Sequence, residues 1–124
     1  MPYPGGTSSV SASGTTVYYH GSDSDSRSLA ISLSGRIARI SGITERGATS
    51  DLRRFATGMA VLRYSVMPAA LIEVGYISHP VDRRKIMNRE FQMQIAQAIV
   101  DGVRGYAEGS LPEHPLPPME GWTR

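Results

Sequence analysis

The sequence predicts an α/β layered fold in which helices cover a sheet. Three observations carry that prediction. Thr15 to His20 (TTVYYH) alternates as a strand, Leu29, Leu33, Ile37 and Ile40 recur at helical spacing, and Ala69 to Tyr76 (AALIEVGY) is apolar on both faces apart from Glu73. Strands and amphipathic helices in one chain bury their apolar surfaces most readily by stacking as layers.

The elements follow in order. Residues 1–14 (MPYPGGTSSVSASG) are rich in Gly, Ser and Pro and read as a flexible arm. The first strand puts Val17 and Tyr19 on one face and Thr16, Tyr18 and His20 on the other, and Gly21 closes it. The run GSDSDS offers N-cap and first-turn acidic residues for a helix starting near Ser24 and ending near Gly42. Thr44 to Gly58 has no sustained period and reads as a loop with one short helical turn. Met59 to Tyr64 (MAVLRY) reads as a second strand, and Ala69 to Tyr76 as a central strand buried on both sides.

Pro80 to Met87 suits a short helix with Pro at its first position, and Asn88 suits the cap of a longer one. The apolar stripe of that longer helix is Phe91, Ile95, Ala98, Ile99, Val103 and Tyr106, and it ends around Gly109. Residues 110–124 contain Pro112, Pro115, Pro117 and Pro118 and form a Pro-rich tail that cannot continue a helix. A chain of 124 residues supports one core, here assigned to residues 15–109. Three strands make a thin sheet, so further strands supplied from upstream are expected.

Composition narrows the function classes. Thirteen Lys and Arg stand against 11 Asp and Glu, a net charge of +2, and the cations are scattered, so nucleic-acid binding is not expected. Cysteine is absent, which excludes disulfides and thiolate metal sites; any metal must be held by His and carboxylate. No stretch approaches the ~18 apolar residues of a membrane span, and the N-terminus lacks the pattern of a signal peptide.

Glu73 is the leading candidate for chemistry, because a carboxylate inside an apolar strand is costly unless paired, protonated or bound to metal. A glutamate simply solvated at the open end of the strand would leave the same pattern. Gly75, two residues on, would leave room beside it for substrate or water. His20, His79 and His114 are the only imidazoles. His20 and His79 would join Glu73 in a metal site only if their strands are neighbours; otherwise they are ordinary surface histidines. Arg46, next to Gly47, is a candidate anion contact or a solvated loop arginine. No G-x-S-x-G elbow and no phosphate loop occurs.

From Gly14 to Gly109 the chain resembles the second half of the zinc-dependent N-acetylmuramoyl-L-alanine amidases. The resemblance rests on GTTVYY (14–19), Ser28-Leu29-Ala30, Arg46-Gly47, Val61-Leu62-Arg63 and, most specifically, MPAALIEVGYISHPVDRRKIMN (67–88). It implies a mixed sheet flanked by helices, incomplete relative to the full amidase domain. It also implies hydrolysis of the amide bond between N-acetylmuramic acid and L-alanine of the stem peptide, in the cell envelope or outside the cell. Glu73 matches the family's catalytic acid/base. The implied cofactor is zinc, but the family's ligands belong to an upstream half, and no ligand set is assigned in this chain. The implied partners are peptidoglycan and that N-terminal half or a second chain carrying it. The rival expectation is a non-catalytic peptidoglycan-binding or regulatory module that keeps the fold.

Overall fold

The computed structural model describes residues 13–40 and 42–110. The arm and the Pro-rich tail expected at the two ends lie outside these residues, apart from positions 13, 14 and 110. Gly14 is already part of the domain. It is buried at φ 97°, and its backbone N–H donates to Asp82 Oδ2 at 3.0 Å.

The central strand is β1 (Thr15–Tyr19). It pairs parallel with β2 (Glu45–Ser50) and antiparallel with β3 (Leu71–Glu73), giving a mixed three-stranded sheet of order β2-β1-β3. Alternation along β1 decides the layering. Val17 is fully buried and sits between Ala48 of β2 and Ile72 of β3, and this face carries the core. Thr16 and Tyr18 point to the opposite face.

Helix α1 (Ser24–Ile37) buries Ala30, Leu33 and Ile37 against that core, with Leu29 and Ile40 beside them. It stops five residues short of the expected Gly42. After Ala38 the backbone bonds shorten to Arg39→Arg36 and Ile40→Ile37, and Gly42 then takes φ 76° to turn the chain toward β2. Helix α4 (Arg89–Ser110) lays Phe91, Ile95 and Ala98 on the same core, and Asn88 Oδ1 accepts from the Phe91 N–H at 2.9 Å as its cap. The expected stripe thins along the helix, since Val103 is 46% exposed. Helix α3 (Pro80–Ile86) begins on Pro80 as expected.

Three expectations fail, each for a physical reason. Residues 45–50 form a strand where a loop was expected, because ERGATS owes its extended state to hydrogen bonding with β1 and carries no apolar alternation. Residues 60–63 form one helical turn, α2 (Ala60–Arg63), where a strand was expected. Ala, Leu, Met and Arg favour helix, and the Arg63 and Tyr64 N–H groups bond back to Met59 and Ala60. The supposed central strand is a three-residue edge strand, half-buried throughout; an apolar run cannot by itself tell a strand flanked on both sides from one with a single neighbour.

Helices α1 and α4 touch most closely at Gly102. A Cβ there would fall 2.8 Å from Leu33 Cδ2 and 2.9 Å from Leu33 Cα, and Ser32 Oγ donates to the Gly102 carbonyl at 2.6 Å. Gly102→Ala gains about 1 kcal/mol of helix propensity but overpacks a backbone atom that cannot rotate away, at a cost of about 1–3 kcal/mol. The expected outcome is a lower urea midpoint for the variant; an equal or higher one would show that the helices can separate without penalty.

Candidate functional site

Glu73 ends β3, directly across from Thr16 of β1. Its neighbours Ile72 and Val74 pack on the core, so alternation sends Glu73 to the other sheet face, with Thr16 and Tyr18. Its side chain is 24% exposed, and Oε2 accepts from Arg54 Nη1 at 2.6 Å. The same Nη1 lies 3.3 Å from the Tyr18 hydroxyl, and the guanidinium sits 5.9 Å from the Tyr18 ring and 5.5 Å from the Phe55 ring. The Tyr18 hydroxyl and the Glu73 carboxylate hold Arg54 firmly in its charged form against the opposing effect of partial burial. Tyr76 completes the group. Burial pushes its phenol up and the negative charge of Glu73 adds to this, while Arg46 pulls the other way.

Arg54 reaches Glu73 because its loop is anchored at both ends by Asp51, in the 3₁₀ turn Asp51–Arg53. Asp51 is fully buried and accepts from the N–H of Gly21 at 2.9 Å, the N–H of Met59 at 2.8 Å and His20 Nδ1 at 2.9 Å. Gly58 takes φ 76° beside it, where a Cβ would lie 2.7 Å from His20 Nδ1 and closer still to the Asp51 carboxylate. Burial would raise the Asp51 carboxyl, but the Gly21 N–H, the His20 ring and the Met59 N–H outweigh it and hold the group below the ordinary carboxylate range.

The histidines do not join Glu73. Because β1 and β3 are antiparallel, His20, beyond the C-terminal end of β1, lies at the far end of the sheet from Glu73, which sits across from Thr16. Its Nδ1 is committed to Asp51. His79 is the N-cap of α3, with Nδ1 accepting from the Asp82 N–H at 3.3 Å. His114 lies outside the described residues. Among the described residues no group of three His, Asp or Glu is placed to hold a metal ion, so zinc does not fit them. The room expected at Gly75 is also filled, since a Cβ there would meet the Asp82 carboxylate at 3.1–3.3 Å. Asp82 instead ties the Gly14 and Tyr76 N–H groups together, at 3.0 Å each.

Arg46 is exposed, donates to the Ser13 carbonyl at 3.1 Å, and lies near enough to Tyr76 for its charge to act there. Sequence reasoning missed Arg54, Tyr18 and Tyr76 as companions of Glu73. The alternation that paired Tyr18 with Thr16 was a usable signal for one of them; Arg54 had none, because its loop carries no period.

A half-buried strand glutamate paired with an arginine, with Tyr18 and Tyr76 beside it, thus lies on the face of a mixed sheet opposite α1 and α4 in an α/β domain. A family model for N-acetylmuramoyl-L-alanine amidase matches residues 6–105, and the chain belongs to that family. It is 35% identical over 98 residues to the probable cell wall amidase LytH of Staphylococcus saprophyticus, covering 79% of this chain and 31% of that protein. The structure is similar to that of an N-acetylmuramoyl-L-alanine amidase from Clostridium difficile 630 (TM-score 0.71, 33% identity, 79% of this chain and 50% of that one). It is also similar to AmiC2 of Nostoc punctiforme (TM-score 0.67, 32% identity, 78% and 49%). The chain thus spans about a third of the length of the curated relatives it matches and about half of the solved amidase chains.

Asp51→Ala should cost about 2–4 kcal/mol at neutral pH, since it leaves buried donors unmade around an emptied space. The sign of the pH dependence follows from the depressed carboxyl. The wild-type contribution is fully present above the unfolded value of about 4 and fades as pH falls through the lower folded value, so the stability gap between wild type and variant should narrow below about pH 4. Urea titrations from pH 7 to pH 3 check this; a gap independent of pH would mean Asp51 is not held as the anion.

Proposed function

We propose that this chain supplies the acid/base half of a peptidoglycan amidase site, with Glu73 handling the proton in cleavage of the amide bond between N-acetylmuramic acid and L-alanine. The single observation that carries this is Glu73 itself. It is a half-buried carboxylate oriented through Oε2 by Arg54, on a family-matched strand end whose sheet face is not covered by α1 and α4. A carboxylate fixed at one oxygen keeps the other for proton transfer.

The zinc expected for the reaction finds no ligand set among the described residues, so the reading places its ligands outside them, in a complementary segment or a second chain. The substrate proposed is cell-wall peptidoglycan, and the location is the cell envelope, in keeping with the cell-wall naming of the curated relatives. Among the described residues no helix is long and apolar enough to cross a membrane.

The chain alone should release negligible stem peptide from purified sacculi. Release should appear when a first-half amidase segment carrying the zinc ligands is added, and Glu73→Gln should lower that rate about a hundredfold or more. Substantial zinc-dependent lysis by the chain alone would refute the division of labour. Undiminished rates for Glu73→Gln in the complemented assay would remove Glu73 from the chemistry.

A further inference from the structure

A second surface lies on the helical layer, away from Glu73. Two concave regions of about 350 and 410 Å³ meet at Gln94 of α4. One is bounded by Arg84 and Lys85 of α3, the other by Arg36 and Arg39 at the end of α1. The two regions adjoin, with Gln94 as their shared wall.

The four cations have no carboxylate within salt-bridge distance among the described residues. Between them stand neutral side chains able to donate hydrogen bonds, Asn88, Gln94 and Gln97. The lining carboxylates, Glu90 and Asp101, stand toward opposite ends of the α4 wall. They stand eleven positions apart on the helix, a rise of about 16 Å. Cations that outnumber the lining carboxylates four to two, without salt-bridging them, leave a net positive potential on a concave surface that an anion relieves.

The geometry points to this groove as a docking track for a wall-borne phosphodiester polymer of the polyol-phosphate kind. Four separate charges along a track suit a repeating anion better than a single one, and guanidinium groups take phosphate oxygens in paired hydrogen bonds. The aromatic residue of the lining, Phe91, is buried in the core, so the groove offers no platform for stacking bases, which weighs against a nucleic acid. The surface would hold the chain at the wall through the helical layer and leave the Glu73 face free. Its wall-borne occupant rests on the cell-envelope location proposed above, but not on the chemistry assigned to Glu73.

The test is co-sedimentation of the full chain with purified Gram-positive walls carrying a polyol-phosphate teichoic acid. Walls stripped of that polymer by hydrofluoric acid serve as the second arm. Binding is expected to the first and to be lost on the second. Arg39→Glu with Lys85→Glu should weaken it about tenfold or more. Arg27→Glu with Arg53→Glu, exposed cations outside the groove, should leave it near wild type once circular dichroism has shown both doubles folded.

Equal weakening by the two doubles would mean unspecific charge attraction and overturn the proposal. So would binding that survives hydrofluoric acid, since the ligand would then be glycan or peptide. Competition by oligothymidylate as effective as by the soluble polymer would overturn it in favour of a general polyanion or nucleic-acid surface. Glu73→Gln should bind as the wild type does, so failure of the hydrolase reading would leave this result standing.

Discussion

The buried carboxylate of Asp51 is the constraint on which the rest of the site depends. It lies where β2 ends and accepts from Gly21, just past the end of β1, so it closes the parallel strand pair at its C-terminal end. By also accepting from Met59 it fixes where the loop that begins at Asp51 must finish. A loop pinned at both ends has few conformations, and that low entropy is what lets an arginine in its middle hold one geometry toward a distant strand. The ion pair of Arg54 with Glu73 is therefore downstream of Asp51. Half-exposed at 45%, Arg54 would gain little from such a pair if its backbone were free to wander.

The two sheet faces answer to different physics. The helical face is held by apolar burial, with Val17, Leu33, Ile37, Phe91 and Ile95 meeting in one cluster and Gly102 allowing α1 and α4 to approach backbone to side chain. The other face is held by polar contacts: Tyr18, Arg54, Glu73 and Tyr76. Polar groups there carry orientation more than stability, and their charges are partly open to solvent. Glu45, at the start of β2, departs from the apolar rule on the helical side: Oε1 accepts from the Gly47 N–H and from the Ser34 hydroxyl of α1, Oε2 is buried without a partner among the described residues, and burial pushes the carboxyl up against those two bonds.

Much of the layering was legible in the sequence. The alternation of TTVYY, the 29-33-37 spacing, Pro80 at a helix start and Asn88 at a cap are local signals, and each maps to an element found where it was read. The failures fall where structure is set by partners. β2 is a strand because β1 lies beside it, α2 is a single turn too short to show a period, and β3 stops after Glu73, where the Val74 carbonyl accepts from the Thr15 hydroxyl and the Tyr76 N–H goes to Asp82 instead of a strand partner. The site divides the same way. Glu73 stood out because one charge interrupted an apolar run, whereas its partner Arg54 comes from a loop whose position is a tertiary fact. The site imagined from His20, His79 and Glu73 required neighbouring strands; β1 and β3 are neighbours, but their antiparallel pairing sends His20 to the opposite end.

That antiparallel pairing has a further consequence for what the chain can do. In an open sheet of parallel strands, ligand groups gather at one end because all carboxyl ends point there. Here β1 and β2 deliver the Asp51 and His20 pair to one end while β3 delivers Glu73 to the other, and only the Asp51 loop connects them across the face. The end that holds Glu73 thus receives from β1 and β2 only their amino-terminal ends, with Thr16 and the Arg46 region beside it. These supply a hydroxyl and a guanidinium but no imidazole. On its other side, among the described residues, Glu73 has the unpaired edge of β3. A three-residue edge strand with one neighbour is the side of the sheet where added backbone can still pair. Under the function proposed above, a complementary segment that paired with this edge would extend the sheet directly beside Glu73.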